Sequence, residues 1–235
     1  VDAIESTIAK GGNVVIPTFA MERTQEILYH LKKAIEGGDL PASLTVFLDS
    51  PMAISATEIF RRHSEGFSVE LRDNMRAGKH PFDLPGLRFT RQSADSIAIN
   101  RIRGGAIIMA GSGMCTGGRI RHHLKHNIWR SESSIVFVGF AAQGTLARQI
   151  VDGAKHVRIY GEKIQVKAQI YTINGFSAHA DQLELLDWVS HTGKPKTVFL
   201  VHGDYDKGMP DMKEALQKKG LSVECPALHD EVGLA

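Results

Sequence analysis

The chain has 235 residues, 28 Lys plus Arg against 26 Asp plus Glu, and 43% apolar residues, so it can bury a sizeable core and does not read as disordered. A formal charge of +2 is too small to draw polyanions to the whole surface, so any nucleic-acid binding must rely on local clusters and backbone amides. Two cysteines, Cys115 and Cys225, lie far apart without C-x-x-C spacing, which excludes a disulfide scaffold and a cysteine-rich zinc finger. The charged start at Val1 to Lys10 and the absence of a run of about 18 apolar residues argue against secretion and membrane spanning. A soluble cytoplasmic protein with no membrane partner is the expectation.

In chain order, Asn13-Val-Val-Ile-Pro-Thr18 reads as a buried strand led by Gly11-Gly12. It is followed by a helix from Met21 to Glu36, where Ile27, Leu28, Leu31 and Ile35 recur at helical spacing. Leu44 to Leu48 is a second strand ending at Asp49-Ser50-Pro51, and the proline starts a helix from Met52 to His63. Glu65 to Pro85 is polar, with a helix predicted at Val69 to Ala77. Gly105 to Met109 leads through a glycine loop into Arg119 to Trp129, and Ser134 to Val138 leads through Gly139 to Gly144 into Leu146 to Val151. Continuous apolar strands alternating with amphipathic helices predict an α/β fold: an open, mostly parallel sheet with helices on both faces. Ligands bind such sheets at the strand ends.

After residue 155 the texture changes. Val157 to Tyr160 and Ile164 to Ile173 alternate apolar and polar around Gly161-Glu162, as a half-exposed hairpin does, and a boundary is expected there. The tail returns to α/β character, with helices at Asp181 to Ser190 and Met212 to Lys218 and strands at Thr197 to Val201 and Ser222 to Glu224.

Three places could carry chemistry. Ala110-Gly-Ser-Gly-Met-Cys-Thr-Gly-Gly-Arg119 joins a strand to a helix, so its bare amides and the helix N-terminus can cradle a phosphate. It lacks the P-loop ending and the strict G-x-G-x-x-G spacing, and turn geometry alone would also account for its glycines. A small-nucleotide site therefore stays open as a weaker alternative. His122 and His126 stand one helical turn apart beside His123, but no acidic helper is near in sequence, and a polar helix face explains them better than a metal. In the tail, Asn174-Gly-Phe-Ser-Ala-His-Ala-Asp181 and Phe199-Leu-Val-His-Gly-Asp204 each follow a strand pattern. His179 and His202 thus emerge at successive strand ends, where imidazole can ligate zinc or transfer protons, with Ser177 and Asp181 beside His179 as phosphate and capping partners.

The blocks Val15-Ile-Pro-Thr-Phe-Ala20 with Gln25-Glu26, Leu48-Asp-Ser-Pro-Met-Ala53, Ala110-Gly-Ser-Gly-Met114, Gly139-Phe-Ala-Ala-Gln-Gly-Thr-Leu-Ala147, Gly175-Phe-Ser-Ala-His-Ala-Asp181 and Val201-His-Gly-Asp204 resemble the β-CASP branch of metallo-β-lactamase-fold ribonucleases. They occur in family order over nearly the whole chain. The resemblance implies a β-CASP RNA-clamping domain over residues 1–175. Residues 176–235 would be the C-terminal segment of a metallo-β-lactamase αββα sandwich, with RNA, expected single-stranded, held between the two parts against two zinc ions. It further implies that His179 protonates the leaving oxygen, that Ser177 contacts a substrate phosphate and that His202 ligates one zinc. Ser112, Gly113 and Arg119 are the remaining expected phosphate contacts.

The family's H-x-H-x-D-H zinc signature does not occur in the 235 residues. One recognisable ligand cannot hold a dinuclear centre, since catalytic zinc takes about three protein ligands. The reading is therefore the C-terminal part of a zinc-dependent ribonuclease, inactive as an isolated chain, whose partners include the missing N-terminal part of the same protein. Apolar surface left uncovered in the closing segment would favour self-association as a homodimer. The alternative is a noncatalytic RNA-binding or scaffold module of the same fold.

Overall fold

Continuous apolar runs become strands that pair in parallel. The computed structural model describes residues 1–176 and 179–233. Its first eight strands are β1 (Val14–Pro17), β2 (Thr45–Leu48), β3 (Leu87–Phe89), β4 (Ala106–Ala110), β5 (Ser134–Val138), β6 (His156–Ile159), β7 (Glu162–Gln165) and β8 (Gln169–Ile173). Six of them form one sheet in the order β3-β2-β4-β1-β5-β8, with every neighbouring pair parallel. The helices of this part are α1 (Asp2–Ala9), α2 (Arg23–Glu36), α3 (Pro51–Arg62), α4 (Val69–Arg76), α5 (Ser93–Ile99), α6 (Ile120–Asn127) and α7 (Leu146–Val151).

Successive strand residues point to opposite faces, and the two cores follow that alternation. Val14 and Ile16 of β1 and Ile107 and Met109 of β4 pack with Ile27, Leu28 and Leu31 of α2 and Ile54 of α3. Val15 and Ile108 face the other way, against Ile120 and Leu124 of α6, Ile128 just after it, and Ala147 and Ile150 of α7. Both faces of the central strands are dry, which is why they read as unbroken apolar runs. The helix starts are fixed locally: Ser50 Oγ accepts from Ala53 N at 3.3 Å ahead of Pro51, and Thr145 Oγ1 accepts from Arg148 N at 3.1 Å.

The segment expected to form one hairpin from Val157 to Ile173 divides. β6 and β7 pair antiparallel. The chain then steps sideways, the amides of Lys167 and Ala168 both donating to Ile128 O at 2.9 and 3.0 Å, and β8 joins the main sheet beside β5. β8 is a half-exposed edge strand, so its composition imitates a hairpin arm although its partner lies elsewhere. The hairpin belongs to the first of two compact units, Val1–Ser177 and Ala178–Ala235, and the expected boundary near residue 155 is not a division between them.

The second unit holds α8 (Gln182–Ser190), β9 (Val198–Phe199), α9 (Gly208–Lys218) and β10 (Val223–Glu224), with β9 and β10 parallel. Val189, Leu216 and Val223 are its buried core, while Leu183, Trp188, Val201 and Leu228 stand exposed. No helix among the described residues is long and apolar enough to cross a membrane.

The central strands carry the stability of the first unit. Ile108 is 1% exposed, and Ile108→Ala is expected to cost about 2–5 kcal/mol through lost burial and the cavity left behind, measured as a lower denaturant midpoint with an unchanged slope.

Candidate functional site

Adjacent strands β1 and β4 send their connections to opposite faces of the sheet: β1 leads to α2 on one side and β4 leads to α6 on the other. Neighbouring loops that part in this way leave a cleft at the carboxyl ends of the strands, where open α/β sheets bind ligands. The first loop follows Pro17. Thr18 N donates to Ala110 O at 3.0 Å, Thr24 Oγ1 donates to Phe19 O at 2.5 Å, and Gln25 Nε2 reaches Ala20 O and Thr57 Oγ1 at 3.2 and 2.9 Å. These buried residues hold the turn and leave Phe19 half exposed.

The second loop is the glycine loop. Ser112 N donates to Gly117 O at 3.2 Å and Ile120 N to Gly111 O at 3.1 Å, so the loop closes on itself immediately ahead of α6. Gly118 has φ +75°, and a Cβ there would stand 2.4 Å from Gly111 O; a Cβ on Gly113 would meet the Phe19 ring at 2.8 Å. Backbone and aromatic thus approach as only glycine permits. Ser112 Oγ accepts from Gly117 N at 3.4 Å and donates to Gly117 O at 3.3 Å. The Gly113 amide has no partner among the described residues, so it remains available to an anion beside the α6 N-terminus.

Under this loop lies a buried carboxylate. Asp49, at the end of β2, is fully buried and accepts from Thr90 Oγ1 at 2.7 Å, Ser96 Oγ at 2.6 Å, Arg119 Nη1 at 2.7 Å and His123 Nε2 at 2.6 Å. Burial alone would raise its pKa, but the donors from His123, Ser96 and Thr90 together outweigh it and hold the group at about 2. His123 Nδ1 is buried without a partner among the described residues, which fits a ring protonated on Nε2 alone. Arg119, expected on an RNA phosphate, also donates through Nη1 to Thr90 O and through Nη2 to Arg91 O, each at 2.8 Å.

The other histidines of the triplet part company. His122 stacks on Tyr160 with centroids 4.8 Å apart, and the His126 pKa is lowered, first by burial and then by Lys125, His123 and His122. Burial likewise pushes the Cys115 thiol up to about 12, so at neutral pH it is packing rather than nucleophile.

His179 and His202 both lie in the second unit. His179 is exposed two residues ahead of Asp181, which caps α8 in a reciprocal box with Glu184, both bonds 2.9 Å. His202 follows β9, exposed, in the left-handed region at φ 59°, an unfavourable backbone for a non-glycine residue. The next residue, Gly203, lets Met209 close on it: a Cβ would meet Met209 Cγ at 2.5 Å. Ser177 lies outside the described residues. Among the described residues no group of three or more His, Cys, Asp or Glu could hold a metal ion, so the residues placed here do not by themselves make a zinc centre. The structure therefore gathers Ser112, Gly113 and Arg119 at one loop and puts the two histidines on loops of the other unit.

The network at Asp49 fixes a pH dependence. Its depressed pKa stabilises the fold fully above the ordinary carboxylate value of 3.8, and that stability drains as pH falls toward about 2. Asp49→Ala, which strands Arg119 without its counter-charge and His123 Nε2 without its acceptor, is expected to lose about 3–5 kcal/mol at neutral pH by chemical denaturation, the gap from the unsubstituted protein narrowing below about pH 4.

Comparison with known proteins gives two matched families, the Beta-Casp domain over residues 24–150 and the Zn-dependent metallo-hydrolase RNA specificity domain over residues 163–226. Ribonuclease TTHA0252 of Thermus thermophilus is 44% identical over 206 residues, 88% of this chain and 46% of that protein. Transcription termination factor FttA of Thermococcus kodakarensis is 33% identical over 242 residues, spanning 100% of this chain and 37% of that protein. An RNase J-like protein of Methanocaldococcus jannaschii is 28% identical over 204 residues, 87% of this chain and 46% of that protein. The chain thus spans less than half the length of these curated relatives.

Proposed function

This chain belongs to the Beta-Casp domain family, and from that premise we propose that it is the RNA-clamping and proton-donating portion of a zinc-dependent ribonuclease that hydrolyses single-stranded RNA. The observation that carries the reading is the pair of adjoining loops above β1 and β4, where the free Gly113 amide, the Ser112 hydroxyl and the α6 N-terminus converge beside the exposed Phe19. Amide donors at a helix start suit a phosphodiester, and an exposed ring suits an unstacked base. Arg119, with both terminal nitrogens committed to Asp49, Thr90 and Arg91, acts on the phosphate through the loop that it anchors.

In this reading Ser177 is a second phosphate contact and His179 is the general acid, donating its imidazolium proton to the oxygen that leaves phosphorus. Imidazole suits that role because it exchanges a proton near neutral pH. His202 contributes one zinc ligand, and the remaining ligands belong to residues outside this chain, so the 235 residues alone are inactive. The exposure of Leu183, Trp188 and Val201 favours self-association of the 235 residues as a homodimer.

The test uses the full-length protein. His179→Ala is expected to lower RNA cleavage by about 10²–10⁴-fold while zinc content, measured by atomic absorption, stays at the unsubstituted level; His202→Ala is expected to lower zinc content as well. Undiminished cleavage by the first variant would remove the acid assignment.

A further inference from the structure

We propose that the exposed face of the β6–β7 hairpin is a second RNA surface, outside the two strand-end loops, that holds the phosphates of a long single strand; this rests on the ribonuclease reading above. Val157, Ile159 and Ile164 turn one face of the hairpin into the core. The other face carries His156, Arg158, Lys163 and Gln165, with His156 opposite Gln165 and Arg158 directly opposite Lys163. Like charges facing each other across strands destabilise a hairpin, and an acidic residue at either position would relieve that at once. From Lys155 to Lys167 the chain places Lys155, Arg158, Lys163 and Lys167 against Glu162 alone, and Glu162 is already paired with Lys125 at 2.5 Å.

The charges also border a space. A hollow of about 410 Å³ lies between the hairpin and α7, lined by Leu146 and Gln149 on one side and His156, Val157, Arg158 and Lys163 on the other, with no carboxylate in its wall. The nearby Asp152 is bound to Arg148. Arg158 makes one bond to Gly161 O at 3.2 Å, and Lys163 has no ion-pair partner among the described residues. Unneutralised cations beside an open polar hollow match a chain of phosphates, whose binding releases counterions.

The hairpin is also held in place. Tyr160 at its tip has φ 52° and packs against the Arg121 guanidinium, 4.4 Å from the ring centroid, and against His122. Both are in the first turn of α6, just beyond the glycine loop, so the basic surface begins where that loop ends. A strand of RNA leaving Gly113 meets a fixed row of cations rather than a mobile arm.

The experiment compares the full-length protein with its Arg158→Gln/Lys163→Gln variant in equilibrium binding to single-stranded RNA of about 30 and about 4 nucleotides across a salt series. The expected result is about tenfold weaker binding of the long RNA, a salt slope shallower by about 1.4 from two lost phosphate contacts, unchanged binding of the short RNA, and a thermal midpoint equal or higher once the facing charges are gone. The Arg158→Lys/Lys163→Arg exchange is expected to restore the long-RNA affinity. Unchanged affinity and slope for the long RNA would overturn this surface and leave the ribonuclease reading intact. Equal losses on both lengths with a lowered midpoint would also overturn it, by making the hairpin a structural element. An unsubstituted protein that binds neither RNA would overturn the ribonuclease reading itself.

Discussion

A single buried carboxylate organises the business end of the sheet. Asp49 closes β2, and its donors come from the turn after β3, from α5 and from the start of α6. An ionised group without water is tolerated only when its lone pairs are filled, and here four side chains fill them. The same bonds that remove the cost of burial fix where the elements end relative to one another. The glycine loop is shaped from below by Arg119 and His123 and from the side by the ring of Phe19.

Much of this order was legible before any coordinates. The central strands are apolar on both faces, and the α2 and α6 stripes face opposite cores, so strand–helix alternation alone predicted a parallel sheet with two covered faces. The short elements were not legible: α1, β3 and α5 have eight, three and seven residues, too few for a period to stand out. β8 was placed wrongly because an edge strand and a hairpin arm share the same half-exposed pattern. The Asp49–His123 bond spans 74 positions, and spacing along the chain carries no sign of it. Asp49 read as a strand end and as part of the Leu48–Ala53 block, with no partner assigned, and His123 only as one of three clustered histidines. A signal existed in retrospect, since an acidic residue closing an otherwise apolar strand needs a partner wherever the strand end is buried.

The candidate site divides along the same line. The glycine loop could be singled out from composition, as a run with glycines at 111, 113, 117 and 118 between a buried strand and a helix, although turn geometry alone also accounts for such a run. What composition could not tell is how each member is employed: Arg119 faces inward to a carboxylate, and the Ser112 hydroxyl bonds back to Gly117 of its own loop. The tail histidines were identified by motif. The geometry adds a reciprocal cap that fixes the start of α8 two residues past His179, and a left-handed backbone at His202 beside a glycine closed over by Met209.

The strand order has a consequence for how the chain is made. β1 precedes β2 and β3 in the chain, yet both of its neighbours, β4 and β5, are encoded far downstream of it. On the ribosome, Val14 to Pro17 must wait in unpaired form until Ala106 to Ala110 has cleared the exit tunnel, and its second edge stays open until Ser134 to Val138 follows. During that interval the apolar strand is unsheltered, and chaperone capture competes with folding.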